Sequence, residues 1–269
     1  MDDIRLAMIG TALDFIETHL EDGVALADVA QAAHYSKYHL HRAFSGILGI
    51  TPHQYARRRR LTEAARRLVR FQTPLRDLAL MAGYQSQQAF TDAFRAMYKM
   101  PPAEYRRLGV YYPLQLPIFL HPEAPLSGVR AAEADDIPAW MALLGQVVDG
   151  YPHLNEAEHL AWLKARMARG EALILCCGSR AAGAVGFRSD AGYVDFLGVH
   201  PQYRTLDLSV QLLRAVRQRL PARRELSLTT YRERDPADPG YRREWMRLGF
   251  REGELLVEFG YPTQRMIWG

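Results

Sequence analysis

The hydrophobic and polar positions in the first part of the chain form a pattern that occurs twice. The pattern begins at Leu26 and again at Leu75, 49 residues later, and after one inserted residue the spacing becomes 50. Each copy reads as a short helix, a tight turn and a second helix, because its apolar residues recur three and four positions apart. The matching pairs are Leu26 and Leu75, Asp28 and Asp77, Ala30 and Ala79, Ala33 and Ala82, Tyr35 and Tyr84, Ser36 and Ser86, Leu40 and Phe90, Ala43 and Ala93, Phe44 and Phe94, Pro52 and Pro102, and Tyr55 and Tyr105. This repeat predicts a duplicated helix-turn-helix, whose second helix can enter a DNA major groove.

The second helix of each copy is predicted to present polar residues on its outer face. Ser36 and Ser86 are placed as N-caps, and the apolar residues four apart bury the opposite face. Arginine can read a guanine edge and glutamine an adenine edge. For His41, simple exposure to solvent is the alternative. The predicted DNA-contacting residues are Ser36, Lys37, Tyr38, His41 and Arg42 in the first copy, and Gln85, Ser86, Gln87, Gln88, Thr91, Asp92 and Arg95 in the second.

A long helix is predicted between the two copies. Thr51 and Pro52 open it as cap and first residue, and it runs to about Phe71. Roughly twenty residues span about 30 Å, close to the ~34 Å of one DNA turn. Within the run of arginines at 57–60, Arg57 and Arg58 are predicted to contact phosphates, which position the protein without reading sequence.

On the second helix of the second copy, Asp92 would repel phosphates unless it accepts a hydrogen bond from cytosine or pairs with Arg95.

The remaining pattern predicts a helix over residues 4–20 and a mixed α/β region after residue 128. Alternation of strand-like and helix-like segments there indicates a partly parallel sheet covered by helices. The predicted strands are 129–132, 172–177, 182–187, 193–199, 225–231 and 255–261, and the predicted helices are 137–148, 160–168, 208–220 and 241–248. Asp207 is predicted to cap the helix at 208–220. The fold class is therefore two domains, the first all-α and the second α/β.

Charge separates the parts of the chain further. Residues 29–108 hold 14 Lys and Arg against 4 Asp and Glu, whereas residues 109–269 hold 19 of each. A basic segment is the electrostatic footprint of a nucleic-acid binder, although a solvated basic face is the alternative for charge alone. Because this segment coincides with the repeat, we expect double-stranded DNA as the partner.

Several classes of function are not expected. The acidic start of the chain lacks the basic flank of a secretory signal, and no apolar run approaches the ~20 residues of a membrane span. The two cysteines, Cys176 and Cys177, are adjacent, and the nine histidines show no metal-ligand spacing, so we predict no metal site. We expect a cytoplasmic, nucleoid-associated protein.

The residues of the repeat resemble the DNA-binding domain of AraC/XylS transcription regulators, which is a homeodomain-like double helix-turn-helix. The resemblance covers about residues 5–107, which predicts a DNA-binding domain over residues 1–108. It rests on Ser36-x-x-x-Leu40-x-Arg42-x-Phe44, Gly49-x-Thr51-Pro52-x-x-Tyr55, Ala79-x-x-x-Gly83-Tyr84-x-Ser86-x-x-x-Phe90 and Pro102-x-x-Tyr105-Arg106. It implies binding to an asymmetric bipartite site, commonly next to RNA polymerase. It also implies base contacts from the two helices that start at Ser36 and Ser86. In the branch that this chain most resembles, the position of Asp92 holds a basic residue.

Residues 109–127 contain four prolines and are predicted to be a stiff linker. Its apolar residues suggest that it packs on one domain.

Residues 128–269 resemble the GNAT acyltransferases, on the strand order and on three motifs. The motifs are Ala134-Asp135-Asp136-Ile137, Val199-His200-Pro201-Gln202-Tyr203-Arg204 and Leu248-Gly249-Phe250. The resemblance implies that the fourth strand splays from the fifth to admit acyl-CoA. A helix N-terminus with glycines would hold its pyrophosphate. The implied acyl-CoA or ligand cleft contains Leu197, Val199, Arg204, Thr205, Asp207 and Ser209.

Two departures from that pattern disfavour acetyl transfer. Asp207 and Ser209 replace the glycines of the phosphate loop, and a carboxylate there repels pyrophosphate and would itself cap the free amides. Trp245 replaces the tyrosine that donates a proton. Asp195 is the candidate general base, with a strand-surface carboxylate as the alternative reading. We therefore expect this domain to sense a ligand or to contact a protein, with acetyl-CoA disfavoured as a cofactor. A DNA-tethered N-acetyltransferase is the alternative.

Overall fold

The computed structural model describes residues 3–21, 23–122, 124–147, 155–222, 224–258 and 260–269, with the backbone alone for Asp3 and Thr205. These residues form two compact units, one before and one after residue 123. The first unit is helical, and its helices are α1 (Asp3–Thr18), α2 (Leu26–Ala32), α3 (Lys37–Leu48), α4 (Pro52–Arg70), α5 (Leu75–Met81), α6 (Gln87–Tyr98) and α7 (Pro102–Leu108). The predicted duplication of a helix pair is confirmed.

Local caps fix where these helices begin. The Ser36 hydroxyl accepts from the His39 amide at 3.2 Å, and the Ser86 hydroxyl accepts from the Ala89 amide at 3.1 Å. Thr51 forms a reciprocal capping box with Gln54, which satisfies two amides that a helix start leaves free. Both serines and this threonine therefore do what their positions in the sequence predict.

The duplication extends to the backbone of the turns. His34 ends the turn of the first copy at φ 58°, and Gly83 holds the equivalent place in the second copy at φ 78°. Only glycine enters this left-handed region without a steric penalty, so the first copy tolerates a strained residue where the second has none.

Each copy has its own core. In the first, Leu40 and Phe44 are fully buried among residues of α1 and α2. In the second, aromatic rings carry the packing: the centroids of Phe94 and Tyr98 lie 4.3 Å apart, and those of Tyr98 and Tyr105 lie 4.9 Å apart. Burial of these faces turns the polar faces of α3 and α6 to solvent.

The second unit is a mixed sheet covered by helices. Its strands are β1 (Arg130–Ala131), β2 (Ala172–Cys177), β3 (Arg180–Arg188), β4 (Tyr193–Val199), β5 (Leu226–Tyr231), β6 (Arg251–Glu258) and β7 (Tyr261–Trp268), and its helices are α8 (Ile137–Val147), α9 (Glu156–Ala168), α10 (Leu208–Arg217) and α11 (Tyr241–Arg247). The sheet order is β1-β2-β3-β4-β5-β7-β6, with β4 and β5 parallel and the other neighbours antiparallel. The predicted fold class, an all-α domain followed by an α/β domain, is confirmed.

The two faces of the sheet pack on different helices. Leu173 and Leu175 join the core under α10 and α11, whereas Ile174 joins the core under α8 and α9. This alternation is the period of two that a strand imposes on its side chains.

One predicted strand was wrong. Residues 255–261 were expected to form a single final strand, but the chain turns at Gly260 (φ 77°) and returns as β7. The glycine in the left-handed region permits the tight turn between β6 and β7. Within the described residues, no helix combines the length and the apolarity that crossing a bilayer requires.

Candidate nucleic-acid interface

The outer face of α3 carries the residues predicted to read the first half-site. Ser36, Lys37, Tyr38, His41 and Arg42 are all exposed, Tyr38 with 74% of its surface accessible. The Arg42 guanidinium lies 5.6 Å from the centroid of the Tyr38 ring, which is a cation–π distance. The tyrosine ring thus limits the orientations that the Arg42 side chain samples.

The outer face of α6 has a different chemistry. Gln85, Ser86, Gln87, Gln88, Asp92 and Arg95 are exposed, and Thr91 is half-buried. The Gln88 side-chain amide donates to Asp92 at 3.0 Å. Asp92 therefore has a partner on its own helix, one turn away, which shields part of its charge.

The repeat makes the two faces directly comparable. At a spacing of 50, Tyr38 and Arg42 correspond to Gln88 and Asp92. The same pair of positions holds a cation over an aromatic ring in α3 and a carboxylate bound to an amide in α6. Two similar backbones therefore present opposite charges at equivalent positions.

The prediction that Arg58 contacts phosphate is wrong. Arg58 is only 4% exposed, and its Nη2 donates to the carbonyl oxygen of Leu114 at 3.0 Å. Arg57 is half-buried and stays a candidate. Four consecutive residues of a helix point in four directions about 100° apart, so a run of arginines cannot lie on one face.

The neighbouring arginines are also used inside the first unit. Arg59 is 4% exposed, and its Nε lies 2.8 Å from Oε1 of Glu17 on α1. The Nε of Arg60 donates to the carbonyl oxygen of Leu20 at 2.8 Å. Arg59 thus joins α4 to α1, and Arg60 joins α4 to the residues that follow α1, so part of the basic charge of the segment is structural.

A polar cluster that the sequence did not predict surrounds Arg59. The Tyr55 hydroxyl donates to Glu17 at 2.5 Å. The pKa of Tyr55 is raised, mainly by burial and further by the nearby Glu17 carboxylate. The hydroxyl therefore stays protonated and can donate this hydrogen bond. The cluster joins residues about forty positions apart, which no local pattern reveals.

The segment after α7 packs against α4. The Thr62 hydroxyl accepts from the amides of Leu114 and Gln115, both at 3.1 Å, and Ile118 is buried in the core of the first copy. Phe119, by contrast, is 61% exposed. We name residues 110–118 the strap.

In the second unit, the residues predicted to line a ligand cleft lie on β4 and on the segment that leads into α10. Val199 is buried and Leu197 is half-buried, while the side chain of Thr205 lies outside the described residues. Arg204 donates to the Tyr241 hydroxyl at 2.8 Å, and its guanidinium lies 5.2 Å from the Tyr241 ring centroid. Tyr193 and Ser227 are the only pair of partner residues that joins β4 to β5 among the described residues.

The predicted cap at Asp207 is wrong in its chemistry. Asp207 occupies the N-cap position, but its backbone is left-handed (φ 52°), and its side chain caps none of the described amides of α10. A side-chain cap needs extended backbone, which directs the oxygen toward the amides. The carboxylate instead lies 3.3 Å from Nη2 of Arg247, and Ser209 is buried beside Glu244, whose pKa is raised by burial.

Asp195, the candidate general base, lies between two arginines. Asp195 Oδ1 lies 3.0 Å from Nε of Arg188, and its Oδ2 lies 3.4 Å from Arg166, while burial raises the pKa of Asp195. The two guanidinium groups favour the ionised carboxylate and so oppose this rise, but burial has the larger effect. Trp245 is buried and packs on Phe250 with ring centroids 5.9 Å apart.

Known proteins match mainly the helical part of the chain. Residues 29–108 match the family model described as a helix-turn-helix domain. The multiple antibiotic resistance protein MarA of Escherichia coli is 37% identical over 114 residues, which cover 42% of this chain and 87% of MarA. The right origin-binding protein of Escherichia coli is 38% identical over 125 residues, which cover 44% of this chain and 43% of that protein. The chain thus spans less than half the length of that relative.

One solved structure is similar to about half of the chain. A Bacillus cereus protein described as a GNAT-family acetyltransferase covers 54% of this chain and 97% of its own, with 13% identity and a TM-score of 0.42. A likeness at this level assigns no activity to the second unit.

Proposed function

Because the chain belongs to the AraC/XylS family of transcription regulators, we propose that it regulates transcription by binding double-stranded DNA at specific sequences through α3 and α6. The observation that carries this proposal is the duplicated helix pair, whose second helices bury their apolar faces and expose base-reading side chains. A helix with this division of faces can enter a major groove while its unit keeps a closed core.

The two helices are proposed to read different half-sites. Arg42 on α3 can pair with a guanine edge, whereas Gln87 and Gln88 on α6 can pair with adenine. The unlike charges at the equivalent positions Arg42 and Asp92 support an asymmetric site rather than a palindrome. Since α4 has 19 residues and is about 28 Å long, we place the half-sites about one helical turn apart.

Phosphate contacts are proposed from Arg57 and from the exposed ends of α3 and α6. These contacts add affinity without sequence preference, and they make binding weaken with salt. Arg58 has no part in this role.

Selection from random-sequence duplexes with the full chain tests the proposal. We expect a bipartite consensus with two unlike halves, bound more weakly as salt rises from about 50 to 200 mM. A palindromic consensus contradicts the proposed asymmetric reading. Affinity that does not change with salt concentration contradicts the proposed phosphate contacts. A library with no enriched sequence contradicts sequence-specific binding itself.

For the second unit we propose ligand sensing or protein contact, with RNA polymerase as the protein partner at a promoter and a small molecule as the effector. The protein then works in the cytoplasm at the nucleoid. The exposed Asp207 carboxylate at the start of α10 would repel the pyrophosphate of an acyl-CoA, which supports a role other than acyl transfer.

Acetyl transfer tethered to DNA is the second candidate. One observation favours it. The parallel strands β4 and β5 pair only at Tyr193 and Ser227 among the described residues, and strands that separate beyond such a pair can admit a pantetheine arm between them. Calorimetry with acetyl-CoA on the full chain separates the two. We expect no binding at micromolar concentrations, whereas submicromolar binding establishes an acyl-CoA site.

A further inference from the structure

The end of α10 and the segment that follows it form a basic surface on the second unit. Residues 208–224 hold five arginines and no Asp or Glu, whereas the rest of residues 109–269 holds 14 Lys and Arg against 19 Asp and Glu. The overall balance of charge in this part of the chain therefore conceals a local excess of positive charge. We name four of these arginines the α10 patch: Arg214, Arg217, Arg219 and Arg224.

The arginines of the α10 patch lie close together. Arg214 and Arg217 are three residues apart on α10 and share one face of the helix. The Nη1 of Arg217 donates to the carbonyl oxygen of Arg224, and the Nη1 of Arg219 donates to the carbonyl oxygen of Ala215 at 2.9 Å. Each contact uses one nitrogen of a guanidinium that carries five N–H donors, so most of the donors remain for another partner.

No acid neutralises the α10 patch within the part of the second unit that the structure describes. Glu225, the next residue in the chain, pairs with Arg251. The side chain of Arg224 lies against the turn at Gly192, where a Cβ would be 2.8 Å from its Cγ. Asp190, the acid of that turn, accepts from the amide of Ala191 at 2.8 Å.

The α10 patch is accessible and polar. Arg214, Arg219 and Arg224 are exposed and Arg217 is half-buried, and no large apolar side chain is exposed between residues 208 and 222. Protein interfaces have an apolar centre, whereas protein–DNA interfaces are more polar and much more positively charged. The chemistry of the patch therefore favours a nucleic acid over a protein.

We propose that the α10 patch binds phosphates of the DNA that flanks the specific site. It rests on the proposed DNA binding by α3 and α6. Because both units belong to one chain, a duplex held by the first unit is at a high effective concentration for the second. Neutralising phosphates releases counterions, so the contact adds affinity and salt dependence without sequence preference. The patch is at the opposite end of α10 from Asp207, apart from the residues predicted to line a ligand cleft.

Duplex length tests the proposal on the full chain. One duplex holds the selected site alone, and the other adds about two helical turns of unrelated sequence at each end. We expect the extended duplex to bind about tenfold tighter, with a plot of log affinity against log salt that is steeper by about two. Equal affinities and equal slopes for the two duplexes overturn the proposal.

Variants locate the contact. Arg214→Gln/Arg224→Gln should lose most of the gain on the extended duplex and lower the salt slope by about two, with the short duplex unaffected. Arg214→Lys/Arg224→Lys, which keeps the charge, should retain most of the gain. Arg180→Gln/Arg234→Gln is the matched control, because it removes two exposed arginines of the second unit outside the patch. Equal behaviour of the glutamine variant of the patch and this control overturns the assignment.

The two possible failures give different results. Specific binding of the short duplex without a gain from the patch overturns the α10 contact alone and leaves an acidic protein surface as the partner of these arginines. If the short duplex is not bound specifically, the proposed function fails, and the same variants on extended random duplexes decide the patch. Circular dichroism checks folding. If the double glutamine variant does not fold, Arg214→Gln is compared with Arg180→Gln.

Discussion

The side-chain amide of Gln88 donates to both carboxylate oxygens of Asp92, at 3.0 and 3.1 Å, one turn apart on the outer face of α6. This contact occupies the glutamine donor that would otherwise read adenine. Asp92→Ala should release Gln88 and remove a negative charge from the face of α6 that we propose binds DNA. We expect DNA binding about threefold tighter on all sequences, with a changed preference in one half-site.

Anisotropy titrations on the selected site and on random DNA measure both effects. Asp14→Ala, which removes an exposed acid on α1, is the control for net charge alone. If the two variants behave alike, Asp92 does not lie at the DNA surface.

Arg42→Ala should cost about 1–3 kcal/mol on the specific site and relax the choice of base at one position, because a bidentate base contact is lost. Random DNA should lose much less affinity. The measurement is a competition assay with single-base variants of the selected site. Equal losses on specific and random DNA would reassign Arg42 to a phosphate.

Arg57→Ala and Arg58→Ala should have different effects although the residues are adjacent: the first should lower DNA affinity and the second should lower stability. Arg57→Ala should weaken all sequences alike and leave the melting temperature unchanged. Arg58→Ala removes a buried donor from the Leu114 carbonyl and should lower the free energy of unfolding by about 1–3 kcal/mol. Urea melts and DNA titrations on both proteins check this. Unaltered stability in Arg58→Ala would contradict its structural role.

His159 should make the stability of the chain depend on pH. Burial lowers the pKa of His159 from 6.5 to about 4, and its Nε2 accepts from Nε1 of Trp140 at 3.1 Å. Between these pH values the unfolded chain binds a proton that the folded chain does not. The stabilisation is therefore complete above pH 6.5 and is lost as pH falls toward 4.

Urea melts from pH 8 to 4 should show this loss in the unaltered chain and a smaller loss in His159→Phe, which cannot titrate. Parallel profiles for the two proteins would mean that other groups control the acid sensitivity.

Gly186→Ala should destabilise the second unit strongly. A Cβ at Gly186 would lie 2.3 Å from Cη2 of Trp162, so α9 could not keep its distance from β3. We expect a loss of about 2–3 kcal/mol from overpacking. Gly145→Ala is the matched control, because a Cβ there meets no described atom within 4 Å and alanine favours a helix by about 0.5–1 kcal/mol. A Gly186→Ala protein as stable as the control would show that Trp162 has room to move.

The features that the sequence predicted well depend on neighbours in the chain. Ser36 and Ser86 cap helices three residues away, and Leu40 and Phe90 bury faces set by the helical period. Such signals lie within one or two turns, so periodicity and residue type suffice. The exposed faces of α3 and α6 followed from the same spacing.

The errors involve distant partners or backbone conformation. Arg58 is turned inward by Leu114, 56 positions away, and no local pattern distinguishes it from Arg57. Asp207 was assigned from its residue type, but its left-handed backbone directs the side chain toward Arg247. Gly260 was the available signal for the β6–β7 turn, since a glycine inside a strand-like run often marks a break.

The strap has a consequence for any attempt to isolate the DNA-binding half. A fragment that stopped at Leu108 would expose the groove now filled by Leu114 and Ile118 and would leave the Thr62 hydroxyl without its two amide donors. A fragment that continued through residue 120 would retain them. The smallest autonomously folding piece is therefore longer than the two sequence repeats, and shorter truncations are expected to be prone to aggregation.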